Sequence, residues 1–473
     1  MSHRSGRRAD SPSLAALFLA LCIPACDRGE PGSSGVGRDQ TPAQDRGEAT
    51  LLPAGEAIDA ATVASPLVDV AGGAFRPLYL KDGLAVDVAA FRMERSPVSN
   101  AQFLAFVKAN PTWRRSVVQR LFADEGYLSH WVGDTELAAG QAEQPVTQVS
   151  WFAARAYAKW LGRRLPTLAE WELAAGDFED AARSLTPRIL EWYGRSASAR
   201  LGTIGSGLVN RTGIGDLHGL VWEWVDDFNS ALVTGESRGD PALERSLFCG
   251  SGAVGAADPS DYAAFMRGAL RSSLRAPDTG RSLGFRCAED LASCCSAKEP
   301  AAGSGLPGTS LWQLGSAWTD QRGEPRRLAD WRGRPTLVAM VFTHCRYACP
   351  RLAADARRIV DALDPRERER MHGLLISFDT ARDTPERLAA FAEEQGLDTA
   401  FWTLLRGDAV DVRELAAVLG VNYQQTASGD FAHSNVITLL DAEGRIVHRQ
   451  QGLAVEPTPT VHAIRELLGV GPR

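Results

Sequence analysis

Two cysteines and one histidine have the residue types and the spacing best suited to chemistry in this chain. Cys345 and Cys349 form a CxxxC motif between an apolar run, residues 336–342, and a segment with helical periodicity that opens at Pro350. Thiols at this spacing lie close enough to share one soft metal ion or to close a small disulfide ring. His433 follows much later and supplies a third ligand, and two thiolates with one imidazole suit Cu(I).

Four interpretations of these residues are open: a structural zinc site, a structural disulfide, a metal-free thiol–disulfide reductase and a copper site. A structural zinc ion is bound by four ligands, and His344 is the only residue near the motif that could be added to Cys345, Cys349 and His433 as the fourth. A disulfide between Cys345 and Cys349 would close a very small loop, which constrains little chain. We expect the helix dipole to favour the thiolate at Cys349, with Pro350 at the first helical position.

The elements that must position these residues alternate between strand and helix over residues 308–470. The apolar and polar patterns predict strands at 336–342 and 374–378, a helix face formed by Leu352, Ala356, Ile359, Val360 and Leu363, a helix at 385–394, and a hairpin of 436–440 with 445–448. Thr384 is the predicted N-cap of the helix at 385–394. This order, βαβ followed by a hairpin, predicts an α/β thioredoxin-like domain.

Composition divides the 473 residues into two domains and two linkers. We predict a signal peptide at 1–26, a linker at 27–65, a first domain at 66–290, a linker at 291–307 and a second domain at 308–473. The net charge of −7, from 51 basic and 58 acidic side chains, argues against nucleic acid as the main partner.

The N-terminus has the pattern of an export signal. Arg4, Arg7 and Arg8 precede an apolar stretch, residues 14–25, which is too short to span a bilayer. The stretch ends at Cys26 in a sequence that resembles the lipobox of bacterial lipoproteins. We therefore expect a lipidated Cys26 that anchors the protein on the periplasmic side of a bacterial membrane. The alternative is an ordinary signal peptide that is cut nearby.

Residues 310–468 resemble the Sco family of copper chaperones, which are membrane-tethered thioredoxin-like proteins. The matching segments are WTDQRG (318–323), LADWRGRP (328–335), the CxxxCP motif, ISFDTARDTP (376–385) and His433. The resemblance implies that Cys345, Cys349 and His433 bind copper as Cu(I). Asp379 matches an acidic position of the family and is a candidate to support the site from outside the ligand set; a turn-forming role is the alternative.

The same resemblance implies partners. Clients would be copper enzymes of respiration, such as an oxidase or a copper reductase of denitrification. Thiols tend to oxidise outside the cytosol, so a redox-active Cys345–Cys349 disulfide would need a periplasmic thiol reductant to reopen it. The competing function is a thiol–disulfide oxidoreductase that reduces the client's copper-ligand cysteines.

Residues 66–290 resemble the formylglycine-generating enzyme, or sulfatase-modifying factor, family. The matching segments are GGAF (72–75), MERSPVSNAQF (93–103), PVTQVSW (145–151), RLPTLAEWE (164–172), GLVWEW (219–224) and LGFRC (283–287). This resemblance implies an irregular α+β fold packed around tryptophans. We interpret Trp222, Glu223 and Trp224 as core and turn residues.

The resemblance also implies an oxidase that holds Cu(I) through two cysteines, but those cysteines are missing. Counting back from Cys287 places Ala263 and Asp258 at their positions, and Cys249 lies too far upstream to replace them. Leu220 stands where the family has Asn, which puts the family's calcium loop in doubt. We therefore predict a docking module, with an oxidase of the formylglycine-generating type as the alternative.

Overall fold

The computed structural model describes residues 63–75, 86–176, 186–194, 201–230, 259–291, 307–425 and 429–470. All of them belong to one unit, Glu56–Arg473. The predicted lipidation site and four further positions lie outside the described residues: Cys26, Cys249, Asp258, Cys294 and Cys295. Within the described ranges, every helix is too short or too polar to cross a bilayer.

The N-terminal domain consists of short helices and strands joined by long loops. Its helices are α1 (Asn100–Ala109), α2 (Trp151–Trp160), α3 (Leu168–Ala175), α4 (Thr186–Tyr193) and α5 (Pro259–Ser273). Its strands are β1 (Leu67–Val70), β2 (Gly73–Phe75), β3 (Val86–Val88), β4 (Phe91–Glu94), β5 (Trp222–Trp224), β6 (Leu283–Phe285) and β7 (Ala288–Asp290). They form one sheet in the order β1-β4-β7 and two strand pairs, β2-β3 and β5-β6.

Polar side chains at the helix N-termini fix where these short helices begin. The Ser99 hydroxyl accepts a hydrogen bond from the Gln102 backbone N–H, and the Gln102 side chain accepts one from the Ser99 N–H. Thr167 and Glu170 make the same reciprocal pair at α3, and Ser150 caps α2. These caps satisfy N–H groups that have no partner within the helix.

Aromatic rings fill the core of this domain. The ring of Phe103 lies 5.7 Å from that of Tyr157, 6.0 Å from that of Phe285 and 6.2 Å from that of Trp131. All four side chains are buried. Rings of this size supply large apolar area per residue, so a domain with little regular structure can still build a core.

The C-terminal domain is a seven-stranded mixed sheet flanked by helices. Its strands are β8 (Ala317–Asp320), β9 (Pro325–Arg327), β10 (Thr336–Val341), β11 (His372–Ser377), β12 (Trp402–Arg406), β13 (Tyr423–Gln425), β14 (Phe431–His433), β15 (Val436–Leu440) and β16 (Ile446–Gln451). Its helices are α6 (Ala348–Asp361), α7 (Pro365–Glu369), α8 (Pro385–Glu394), α9 (Ala409–Leu419) and α10 (Thr458–Leu468). The sheet order is β16-β15-β10-β11-β12-β8-β9, and β13 pairs with β14 outside this sheet.

The central βαβ unit and the hairpin agree with the sequence prediction. Strand β10 is buried along its whole length and pairs in parallel with β11 and antiparallel with β15. Helix α8 begins directly after its N-cap Thr384, as expected. Strand β11 starts two residues earlier than predicted, because Gly373 pairs with Trp402 and extends the ladder despite having no side chain.

Candidate metal centre

The CxxxC motif begins on the loop between β10 and α6 and ends in the first turn of α6. Phe342 and Thr343 at the end of the strand are buried, whereas His344, Arg346 and Tyr347 are exposed. Helix α6 begins at Ala348. The prediction that Pro350 opens the helix is wrong by two residues; Pro350 is the third helical residue, where its missing N–H still costs no intrahelical hydrogen bond.

The three predicted ligands converge at this loop. The Sγ atoms of Cys345 and Cys349 and a ring nitrogen of His433 all lie within 4.8 Å of one another. The Cys349 Sγ atom is 3.4 Å from Nε2 of His433, and the Cys349 backbone N–H donates to the Cys345 Sγ atom at 3.4 Å. Both cysteines are free thiols. One ion could therefore reach all three atoms after small movements of the side chains.

The two thiols differ sharply in acidity. A hydrogen bond from the Cys349 thiol, contact with the His433 ring and backbone N–H groups at Cys349 and Tyr347 outweigh partial burial and lower the pKa of Cys345 from 9.0 to about 3. Burial, followed by the neighbouring Cys345 thiolate, raises the pKa of Cys349 well above its usual value.

This corrects the expectation that the thiolate forms at Cys349. Cys349 is completely buried, and its Sγ atom accepts a backbone hydrogen bond from the Phe342 N–H at 3.3 Å. Desolvation of a charged sulfur therefore outweighs the helix dipole at this position. Cys345 is half-buried and carries the negative charge instead.

His433 presents one nitrogen to the thiols because its other nitrogen is occupied. The Nδ1 atom lies 3.1 Å from the Ser434 backbone oxygen. A carbonyl oxygen can only accept, so Nδ1 carries a proton and Nε2 is the nitrogen that faces the sulfurs. As an N–H group Nε2 donates to the Cys345 thiolate, and as a bare nitrogen it offers its lone pair to a metal ion. The rings of Phe378 and Phe342 pack beside the imidazole at 5.0 and 6.0 Å. The set of donors therefore fits a soft ion with low coordination number.

A buried carboxylate that the sequence analysis did not single out holds the CxxxC loop in place. Asp383 accepts hydrogen bonds from the Thr343 N–H at 2.9 Å, the Thr343 hydroxyl at 2.6 Å and the Ser377 hydroxyl at 2.5 Å. It also lies 3.2 Å from Nδ1 of the partly exposed His344. Its position in the segment 376–385, immediately before the helix cap Thr384, was the available signal.

Asp379 lies close to this network rather than among the metal ligands. Its carboxylate accepts from the Arg382 guanidinium at 2.5 Å and from the Arg382 backbone N–H at 3.1 Å. It groups with His344 and Asp383, whose potential ligand atoms lie within 4.8 Å of one another. The contacts of Asp379 are those of a turn-forming residue, and its role in supporting the copper ligands stays a prediction.

In the N-terminal domain, the residues around β5 form a buried polar core. Glu223 accepts two hydrogen bonds from the Arg286 guanidinium, both at 2.8 Å, and one from the Trp171 indole at 2.7 Å. Trp224 is completely buried, and Trp222 is half-buried. The expectation that this motif serves the core agrees with these contacts, although the residues form a strand rather than a turn.

The one cysteine in the described part of the N-terminal domain has the surroundings of a structural residue. Cys287 is completely buried, and burial raises its pKa well above the usual value. Its backbone N–H donates to the Glu94 carboxylate at 2.7 Å, and Glu94 is itself paired with Arg163. Ala263, at a position where the resemblance implies a cysteine, lies in helix α5.

Comparisons with known proteins agree with both domains. A family model described as a sulfatase-modifying factor enzyme 1-like domain matches residues 55–291, and one described as SCO1/SenC matches residues 315–469. The chain therefore belongs to the sulfatase-modifying factor enzyme 1-like family and carries a SCO1/SenC domain after it. The predicted order of an irregular α+β domain followed by a thioredoxin-like domain is confirmed.

Individual relatives match one domain each. The formylglycine-generating enzyme of Streptomyces coelicolor is 32% identical over 272 residues, which are 46% of this chain and 85% of that enzyme. The enzyme of the same description from Mycobacterium tuberculosis is 30% identical over 300 residues, 47% of this chain and 97% of its own length. The structure of Bradyrhizobium japonicum ScoI with copper bound is 25% identical, covers 33% of this chain and 97% of that chain, and has a TM-score of 0.28.

Proposed function

We propose that this protein is a copper chaperone that carries one Cu(I) ion as cargo on Cys345, Cys349 and His433. The observation that supports this most directly is the convergence of two sulfur atoms and one imidazole nitrogen within 4.8 Å. The match of residues 315–469 to SCO1/SenC points in the same direction.

The donor set favours Cu(I) over zinc. Thiolates are soft ligands that select Cu(I), and three donors suffice for it, whereas structural zinc takes four. The closest further candidate is His344, whose Nδ1 atom faces Asp383. The Asp383 carboxylate already accepts from the Thr343 hydroxyl and N–H and from the Ser377 hydroxyl. A low-coordinate ion held by the half-buried Cys345, beside the exposed residues of the loop, is also one that a client can take over by ligand exchange.

The test is a titration of the reduced full chain with Cu(I) in the presence of a chromophoric Cu(I) chelator. We expect one ion per chain, and a loss of affinity of at least tenfold, about 1.4 kcal/mol, for each of Cys345→Ala, Cys349→Ala and His433→Ala. His344→Ala is the matched control, because it removes an imidazole beside the motif and outside the ligand set. Equal copper retention by the wild type and the double cysteine variant would refute the proposal.

A second function, thiol–disulfide exchange, is favoured by the difference in acidity between the two thiols. The low pKa of Cys345 makes it the attacking thiolate, and the buried Cys349 would then release the mixed disulfide by attacking Cys345. Reduction of a disulfide-bonded client peptide by a reduced chain that loses copper on desalting would favour this function over the chaperone.

The proposal also includes the protein that receives the copper and the place where the chain acts. The client would be a respiratory copper enzyme such as an oxidase or a denitrification reductase, and a periplasmic thiol reductant would keep Cys345 and Cys349 open. The N-terminal domain would act as a docking module, since Ala263 and Asp258 offer no sulfur for oxidase chemistry.

A lipid on Cys26 would hold the chain at the periplasmic side of a membrane. The expected result for Cys26→Ser is release into the soluble periplasmic fraction. Persistent membrane association of this variant would contradict the lipid anchor.

A further inference from the structure

The two domains meet where a loop of the N-terminal domain touches the C-terminal domain. The loop follows β5 and contains a turn of 3-10 helix at Phe228–Ser230. The side-chain amide of Asn229 donates to the backbone oxygen of Val421 at 3.0 Å, and both residues are buried. A buried hydrogen bond between residues so far apart in sequence is a specific contact. If either group lost its partner, it would stay buried without a hydrogen bond, and the free energy of its desolvation would not be offset.

A charged contact lies beside this hydrogen bond. Arg413 of α9 approaches the Asp226 carboxylate at 3.3 Å, and Arg155 of α2 approaches the other carboxylate oxygen at 3.2 Å. The Arg413 guanidinium also lies over the ring of Tyr423, 5.3 Å from its centre. Asp226 therefore bridges the two domains and fixes the arginine that covers Tyr423.

Apolar packing continues the same contact. Ala417 of α9 is buried as part of the hydrophobic core of the N-terminal domain, and the neighbouring Val418 packs against both cores. From the other side, Phe122 also packs against both cores. Helix α9 is thus held by the N-terminal domain along one of its faces.

These contacts lead directly to the metal-site histidine. Val421 is followed by β13, in which Tyr423 pairs with His433 of β14. The Tyr423 ring stacks on that of Phe378 at 5.3 Å, and Phe378 lies 5.0 Å from the imidazole. Asn229 is therefore connected to His433 through the short strand β13 and through the stacked rings of Tyr423 and Phe378.

The β13–β14 pair depends on packing against other elements because it is not part of the seven-stranded sheet. It contains two short strands and stands apart from the seven-stranded sheet. A two-stranded ribbon is at best marginally stable without packing against other elements. One side of this ribbon packs on the aromatic rings beside the metal site, and the chain just before it is held by the N-terminal domain.

We propose that Asp226 and Asn229 are positioning residues for His433, so that docking of the N-terminal domain sets the copper affinity of the C-terminal domain. This inference rests on the proposed copper function. It assigns to the N-terminal domain a role inside the molecule: its loop holds the β13–β14 ribbon so that Nε2 of His433 stays within reach of the two sulfurs.

The test compares Asp226→Asn and Asn229→Ala in the full chain. We expect each variant to take up one Cu(I) with an affinity about five- to tenfold below that of the wild type, as the loss of one buried hydrogen bond or ion pair implies. Asp226→Glu keeps the charge and should restore part of the affinity. Arg413→Gln repeats the test from the C-terminal domain without changing the N-terminal domain, and should lower affinity to a similar extent.

Two further readouts separate positioning from a general loss of stability. Hydrogen–deuterium exchange of the copper-free variants should rise at Tyr423 and His433 and stay unchanged in β10. In the Cu(I)-loaded variants, the nitrogen contribution to the copper X-ray absorption spectrum should weaken towards that of His433→Ala. Glu289→Gln, which removes a carboxylate paired with Arg92 elsewhere in the N-terminal domain, is the matched control and should change neither.

The outcomes distinguish this inference from the proposed function. A wild-type chain that fails to bind Cu(I) would refute the copper function itself. A wild-type chain that binds Cu(I), with Asp226→Asn, Asn229→Ala and Arg413→Gln indistinguishable from Glu289→Gln in affinity and in exchange, would refute only the positioning role.

Discussion

The unequal acidity of the two thiols predicts an unusual pH dependence of alkylation. Between pH 5 and pH 8, the rate at which iodoacetamide modifies Cys345 in the reduced, metal-free chain should stay nearly constant. The reason is that its pKa of about 3 leaves Cys345 ionised over this whole range. An ordinary thiol with a pKa of 9.0 gains about a thousandfold in thiolate over the same three pH units.

The absolute rates follow from a second, opposing effect. A thiolate becomes less nucleophilic as its pKa falls, with a Brønsted slope of about 0.4–0.5, so a six-unit depression costs roughly 500-fold in intrinsic reactivity. About one ordinary thiol in ten thousand is ionised at pH 5 and about one in ten at pH 8. Cys345 should therefore react about twentyfold faster than an ordinary thiol at pH 5 and about fiftyfold slower at pH 8.

Mass spectrometry can measure the two cysteines separately. Tryptic cleavage after Arg332, Arg346 and Arg351 places Cys345 in peptide 333–346 and Cys349 in peptide 347–351. The urea-unfolded chain supplies the ordinary reference rate. The buried Cys349 should stay unmodified in the folded chain.

Cys349→Ala is the informative variant, because it removes the thiol hydrogen bond that contributes most to the low pKa of Cys345. The alkylation rate at Cys345 should then rise with pH. A folded wild-type chain in which Cys345 already reacts tenfold faster with each pH unit would refute the assignment of the thiolate.

Three substitutions test the packing that supports the two domains. Glu223→Gln leaves the fully buried Arg286 without its counter-charge and should lower the free energy of unfolding by about 3–5 kcal/mol, measured by chemical denaturation. Gly373→Ala should destabilise the C-terminal domain in the same assay, because the new methyl group would stand only 2.3 Å from a ring atom of Trp402. Asp383→Asn replaces an acceptor of the loop hydrogen bonds with a donor and should cost about 1–3 kcal/mol and weaken Cu(I) binding.

Matched substitutions at less demanding positions serve as controls. Glu289→Gln breaks a half-exposed ion pair and should change the free energy of unfolding by no more than about 1 kcal/mol. Gly73→Ala meets only ordinary contacts with Leu173, the nearest at 3.6 Å. Effects of Glu223→Gln or Gly373→Ala as small as those of their controls would contradict the packing described above. Unchanged copper affinity in Asp383→Asn would contradict its role in holding the loop.

The sequence was informative where short segments decide the structure. The apolar runs predicted β10 and the hairpin, and Thr384 with the following proline predicted the start of α8. The CxxxC spacing, together with the resemblance that singles out His433 among the later histidines, was enough to name three side chains that the fold brings together. In each case a local pattern carries the information.

The sequence was misleading where the role of a residue depends on how deeply the fold buries it. A dipole argument favoured the thiolate at Cys349, but the depth of that sulfur below the surface is a property of the folded chain. Asp383 escaped notice for the same reason, since its importance lies in hydrogen bonds to the distant Thr343 and to Ser377. Nor could any periodicity reveal that Asn229 reaches Val421, because Asn229 lies in a single turn of 3-10 helix and Val421 lies in a loop of the other domain.

The aromatic core of the N-terminal domain also supports the loop that touches the C-terminal domain. The docking loop begins directly after β5, and the ring of Phe228 lies 5.1 Å from that of Trp224 and 5.6 Å from that of Trp151. These buried rings therefore hold the loop in place from the side of the N-terminal domain. A core of this kind can position Asn229, and through it the chain that carries His433.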